Sequence, residues 1–255
     1  MPTALIVDDE PEANKLLGML LRLRGYRTES AFTGKEALQL VAKAQPDIIF
    51  LDLMLPDLNG YEICKILKSS RGTSLIPLVI ITARLADENR IESFCIGADD
   101  YIAKPYTPGR IFQAVEEAVS WFDQSRSGQI QASISFDQSD DGEILRRLGQ
   151  FRSLVFARTA LSLEAVAQIS RAIKEIWSVA DEWARNYPGD HITTLTYTLT
   201  AQRLVLEFRD AAAWLGKVPI LAEDPTSELS IAGFDHVAID ESDRSVRFVK
   251  DFPAT

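Results

Sequence analysis

Four short runs in the first half of the chain each end at a charged or hydroxyl residue, and helical patterns lie between them. Ala4-Leu5-Ile6-Val7 meets Asp8-Asp9, and Asp47–Leu51 stops at Asp52. Leu78–Ile81 stops at Thr82, and Asp100–Ala103 meets Lys104-Pro105. Between Glu12 and Arg24, Leu16, Leu17, Leu20 and Leu21 recur at helical spacing until Gly25 breaks the pattern. Tyr26–Phe32 reads as a further strand. Helices are expected over Gly34–Ala44, Tyr61–Lys68, Asp87–Ile96 and Pro108–Phe122. Strands that are apolar along their whole length are buried on both faces, which calls for a parallel sheet between two layers of helices, an α/β fold.

In such sheets the working groups sit beyond the carboxyl ends of the strands, where strand order reverses. The residues there are Asp8, Asp9, Asp52, Thr82 and Lys104. Three carboxylates gathered at one edge repel one another unless a cation sits among them or their proton affinities rise. An all-oxygen set suits Mg²⁺, which keeps several waters and takes further ligands from a phosphoryl group.

VDDE, FLDLMLPDLNG, VIITA and DYIAKP resemble the response-regulator receiver family over residues 1 to about 122. The resemblance implies a five-stranded, flavodoxin-like receiver. In it Asp52 accepts a phosphoryl group, Asp8, Asp9, Asp52 and the Met54 carbonyl hold Mg²⁺, and Thr82 and Lys104 contact the phosphoryl oxygens. Lys104-Pro105 is expected to be cis, and Tyr101 matches the family's switch aromatic. The donor implied is a sensor histidine kinase or phosphotransfer protein. The switching surface is the expected helix Asp87–Ile96, the strand Asp100–Ala103 and the helix Pro108–Phe122. Met54 and Arg84 occupy the two positions that tune phosphoaspartate lifetime in the family, and they point to slow self-hydrolysis.

The chain has 255 residues, enough for two domains, and a net charge of −10. Residues 1–122 carry 13 Lys and Arg against 17 Asp and Glu, and residues 123–255 carry 14 against 20. Acid on both sides leads to the expectation that nucleic acid is not a partner. Cys64 and Cys95 have no metal-ligand spacing, and each falls in a helical pattern as a small buried hydrophobe. His191 and His236 lack acidic or cysteine partners at metal spacing. With no membrane-spanning apolar stretch and no leader pattern, a cytoplasmic protein is expected.

Residues 123–131 read as a polar linker, with a prolonged helix as the alternative. In residues 132–255 strands and helices are segregated. Ile130–Phe136 alternates as a strand. Helices are expected over Gly142–Ala157 and Leu163–Arg185, strands over His191–Thr200 and Arg203–Asp210, a short helix at Pro225–Gly233, and a closing hairpin from Phe234–Asp240 and Ser245–Val249. This pattern is an α+β sandwich with an antiparallel sheet covered on one face.

SRAIKEIWSVADEWARN, LVLEFRD and SIAGFDHVAID resemble, more weakly, the histidine-kinase-type ATPase fold of anti-sigma-factor kinases. Glu175 and Asp210 stand in register with its metal-box glutamate and adenine-reading aspartate. Val179 replaces the metal-box asparagine, Ala212 and Trp214 replace glycines, and Leu221–Ile231 contains no glycine. Backbone amides approach phosphates closely where glycine permits it, so a pseudo-ATPase that binds no nucleotide is expected. Its partners would be a sigma factor, a STAS-type antagonist or a kinase. The alternatives are a phosphorylation-gated serine protein kinase, a DNA-binding regulator and a phosphate shuttle; a homodimer through the helix ending at Phe122 also stays open. Trp177, Trp183 and Trp214 read as core or interface aromatics.

Overall fold

A computed structural model describes residues 1–83, 97–136, 141–186, 193–209, 234–240 and 242–252. The helix expected over Asp87–Ile96, together with Arg84, Cys95, His191, Asp210, Ala212, Trp214 and the segment Leu221–Ile231, lies outside the described residues. So do the side chains of Glu175, Val179 and Trp183. The chain divides into two compact units. The first is Met1–Arg126 with Leu145–Ala157, and the second is Ser127–Ile144 with Arg158–Thr255.

In the first unit β1 (Thr3–Val7), β2 (Arg27–Ala31), β3 (Ile48–Leu51), β4 (Leu78–Thr82) and β5 (Asp100–Ala103) form one parallel sheet in the order β2-β1-β3-β4-β5. Side chains alternate across a strand, so β1, β3 and β4 each supply two cores. Leu5, Val7, Ile49, Leu51, Leu78 and Ile80 join Ala37 and Val41 of α2 (Gly34–Lys43) and Ile63, Cys64 and Leu67 of α3 (Gly60–Lys68). Ala4, Ile6, Ile48, Phe50, Val79 and Ile81 meet Leu17 and Leu21 of α1 (Pro11–Leu23) and Ile111, Ala114 and Val115 of α4 (Pro108–Ser125). The α/β sandwich expected from the apolar strands is the observed architecture.

The helix ends follow local chemistry. Pro11 and Pro108 open α1 and α4, where a missing N–H costs nothing. Thr33 caps α2 by accepting from Glu36 N at 3.2 Å, while the Glu36 carboxylate accepts from Phe32 N at 2.8 Å. Asn59 accepts from Tyr61 N at the head of α3, and Thr107 from Arg110 N at the head of α4. Gly25 closes α1 at φ 82°, in the left-handed region that favours glycine. At the far end of α3, Lys68 is 4% exposed, yet its ammonium donates to Asp99 Oδ2 (2.6 Å), Ile76 O (2.9 Å) and Ser74 O (3.1 Å). Three acceptors for three donor hydrogens make a buried cation tolerable.

The remaining helices are α5 (Asp141–Arg158) and α6 (Leu163–Asn186). In the second unit β6 (Ile130–Phe136), β7 (Thr193–Leu199), β8 (Arg203–Arg209), β9 (His236–Asp240) and β10 (Ser245–Asp251) form an antiparallel sheet ordered β6-β7-β8-β10-β9. β7 alternates strictly between buried and half-buried positions, as a sheet covered on one face requires. Val166, Ile169, Ile173 and Ile176 make the buried stripe of α6. Trp177 stacks on Phe136 at 6.2 Å, Phe136 on Phe208 at 6.3 Å, and Phe208 meets Phe248 edge-on at 5.9 Å. Trp177, half-buried, thus extends this aromatic row. α4 runs to Ser125 and β6 begins at Ile130. Among the described residues no helix is long and apolar enough to cross a membrane.

Candidate functional site

Strand order reverses between β1 and β3, and their carboxyl ends carry Asp8 and Asp52. Parallel pairing puts the two strand ends level, Val7 opposite Leu51, and Asp52 N donates to Val7 O at 2.8 Å. Lys104 follows β5, where its backbone N–H donates to Thr82 O at 2.8 Å. From there its ammonium reaches Asp52 Oδ2 at 2.6 Å and Asp8 Oδ2 at 2.7 Å. One cation thus bridges two carboxylates that are each 6% exposed. Burial pushes the Lys104 ammonium toward its neutral form. The hydrogen bonds and charges of Asp52 and Asp8 outweigh that and hold its pKa above the ordinary lysine value.

The second oxygens of both carboxylates are also engaged. Asp8 Oδ1 accepts from Glu10 N and Asp52 Oδ1 from Met54 N, each at 3.0 Å. Asp9 lies beside them with its side chain exposed, and Met54 is 54% exposed. Thr82 is fully buried at the end of β4, and Tyr101 packs against the core that holds α2 and α3. The Lys104-Pro105 bond is cis, as expected. The donors are all oxygen, which fits a hard cation of the Mg²⁺ type. Among the described residues no three acidic side chains are already gathered in ligating geometry.

Four further residues shape the site. Asn14 is buried, with its amide directed at the carbonyls of Ile6 (3.4 Å) and Asp8 (3.5 Å) and its oxygen accepting from Ser30 Oγ at 2.6 Å. Asp57 accepts from Gly34 N and Lys35 N at the head of α2 (2.7 and 3.0 Å), which ties the loop after Asp52 to a helix terminus. Those backbone donors, Lys35 foremost, hold its carboxyl below the usual range. At Gly60 a Cβ would lie 2.5 Å from Asp52 O, so α3 approaches Asp52 this closely only with glycine there. Tyr106 is half-buried beside Lys104 and Asp8, and burial raises its phenol pKa. Gly60 and Tyr106 stand next to motif residues and carry a sequence signal. Asn14 and Asp57 look like ordinary helix and turn residues until their distant partners are known.

The response regulator receiver domain family matches residues 4–116. RpaA of Synechocystis sp., named a DNA-binding dual master transcriptional regulator, is 39% identical over 106 residues, 42% of this chain and 44% of RpaA. The match therefore spans less than half of that relative's length. MtrA of Mycobacterium leprae, named a DNA-binding response regulator, is 27% identical over 92% of this chain and 96% of its own. Among solved structures, a signal receiver domain of a signal transduction histidine kinase from Syntrophus aciditrophicus is 31% identical. That comparison covers 47% of this chain and 91% of the other, with a TM-score of 0.45.

These relatives overturn the expectation that nucleic acid is not a partner, since RpaA and MtrA are both named as DNA-binding. The physical error lies in the average. A net charge of −10 sums over the whole surface, while a groove reader needs only a local set of Lys and Arg, which an acidic total can conceal. The strand order, the strand-end residues and the family match agree: residues 4–116 of this chain are a response regulator receiver domain.

Proposed function

We propose that the chain is a phosphorelay response regulator in which Asp52 is the phosphoryl acceptor and the second unit delivers the output. The observation that carries this reading is Lys104, whose ammonium touches both Asp52 and Asp8. In the reaction a carboxylate oxygen of Asp52 attacks phosphorus in-line. The P–O bond forms as the P–N bond to the donor histidine breaks, and the histidine nitrogen leaves with the electron pair. Lys104 turns from the carboxylate pair toward the new phosphoryl oxygens, and the Thr82 hydroxyl donates to another. Asp8, Asp9, Asp52 and the Met54 carbonyl would hold Mg²⁺, which when bound neutralises charge on the phosphoryl oxygens. Tyr101 follows Thr82 as the switch aromatic. The donor is a sensor histidine kinase or phosphotransfer protein.

For the output, the MtrA match over 92% of this chain favours DNA. A second reading rests on element order: one strand, two long helices and then antiparallel hairpins, as in the ATPase-like resemblance. On that reading the second unit is a pseudo-ATPase that binds a protein partner, with Glu175 and Asp210 as remnants.

Asp52→Asn should abolish labelling by acetyl phosphate while leaving the far-ultraviolet circular dichroism spectrum unchanged. A variant that still takes label overturns the assignment of Asp52. For the output, band shifts of the full chain on genomic fragments, with and without beryllofluoride and Mg²⁺, should show a sequence-selective complex. Absence of any shift, together with pull-down of a discrete protein partner, would favour the second reading.

A further inference from the structure

Helix α5 is buried around nearly its whole circumference. Among its described positions only Arg147 and Arg158 are exposed, while Leu148, Phe151, Leu154 and Val155 are each at most 3% exposed. The stretch Leu145–Ala157 belongs to the first compact unit with Met1–Arg126. The chain on both sides of it belongs to the second.

Three arginines contact elements of the first unit at or from this helix. Arg71, in the turn between α3 and β4, sets its guanidinium over the Phe156 ring at 4.4 Å and donates to the Phe156 carbonyl. Phe156 lies in the last turn of α5, where carbonyls lack intrahelical donors and the helix end is partly negative. A cation that both stacks on the ring and fills a carbonyl is a strong terminal clamp. Mid-helix, the Arg152 guanidinium lies where a Cβ on Gly97 would collide with it, and Gly97 has φ 108°. Near the first turn, Arg146 is 3.9 Å from Glu117 of α4.

The Gly97 turn connects to the candidate site. It leads through Asp99, held by Lys68, into β5, which carries Tyr101 and ends before Lys104. The segment that ends at Lys104 therefore starts at a turn in contact with the Arg152 guanidinium.

We propose that α5 is a latch within the first unit. Arg71 clamps its end, Arg152 bears on the Gly97 turn, and displacement of residues 97–104 on phosphorylation changes how firmly the helix is held. The inference rests on Asp52 being the phosphoryl acceptor.

The test is amide hydrogen exchange on the full chain, comparing wild type, Arg71→Ala and Arg71→Lys, each with and without beryllofluoride and Mg²⁺. Arg71→Ala should speed exchange of residues 145–157 about tenfold and leave β6 unchanged, and Arg71→Lys should restore part of the protection. In wild type beryllofluoride should alter exchange at both 97–104 and 145–157, and in Arg71→Ala only at 97–104. Unchanged exchange of 145–157 in Arg71→Ala overturns the latch. So does a wild type in which beryllofluoride moves 97–104 but not 145–157. A wild type in which neither segment responds, while Arg71→Ala still frees the helix, overturns the phosphoacceptor reading and the coupling built on it, and leaves the clamp standing.

Discussion

Lys104 shows how one residue sets the character of the site. Its pKa is raised above the ordinary value of 10.5 because Asp52 and Asp8 outweigh the effect of burial. A raised lysine contributes stability that is fully present below its unfolded pKa and is lost as pH climbs through the folded one. Lys104→Met leaves two near-buried carboxylates facing each other. It should lower stability at pH 7 by about 1–3 kcal/mol, from the cost of uncompensated buried charge. Urea unfolding at pH 7 and above about pH 10.5 checks this, because the gap between wild type and variant should close as the lysine deprotonates. A gap that is constant with pH would mean that packing of the lysine stem, not its charge, is what counts. Asp8, Asp52 and Lys104 were legible because each directly follows a buried strand. Lys68 was not, because its partners lie 6, 8 and 31 residues away and nothing local marks it as buried.

Among elements, the pairing of β8 with β10 sets Glu207 opposite Arg247. Arg247 donates to Glu207 Oε2 from Nη2 at 2.7 Å and from Nε at 3.1 Å, and Arg209 donates to Oε1 at 2.8 Å. Hydrogen bonds from Arg247, then Arg209, hold the Glu207 carboxyl below its ordinary value of 4.5. A lowered carboxylate contributes stability above its unfolded pKa and loses it as pH falls through the folded one. Both arginines are more than half exposed, so the effect is modest, under about 1 kcal/mol at neutral pH. Thermal melts at pH 7 and below about pH 4.5 should show Glu207→Gln less stable than wild type at the higher pH and equal to it at the lower. The strands themselves were readable from period-two alternation. β10 runs two residues past the expected Val249, because its pairing with β8 continues to Asp251 opposite Arg203 and local pattern carries no record of that partner.

At the scale of the whole molecule, net charge predicts association behaviour better than it predicts partners. A DNA-binding output on a chain of charge −10 must concentrate its cations locally and works against self-repulsion elsewhere. Affinity for a specific fragment should then fall at least tenfold between 50 and 200 mM salt, as counterion release requires. A complex whose affinity barely changes over that range would point to protein recognition in place of nucleic acid. A gel-shift or fluorescence titration at several salt concentrations distinguishes the two.

The sequence by itself determined the α/β sandwich of the first unit, the residues at its strand ends and the antiparallel sheet of the second. These follow from local pattern, since periodicity and capping act over a few residues. Tertiary structure alone decided that Lys104 bridges Asp8 and Asp52, that Asp57 caps a helix 22 residues earlier, and that α5 packs with the first unit. The apolar spacing of α5 announced a helix. Its partners include Arg71, 85 residues away, whose contact with a helix end exists only after the chain has closed on itself.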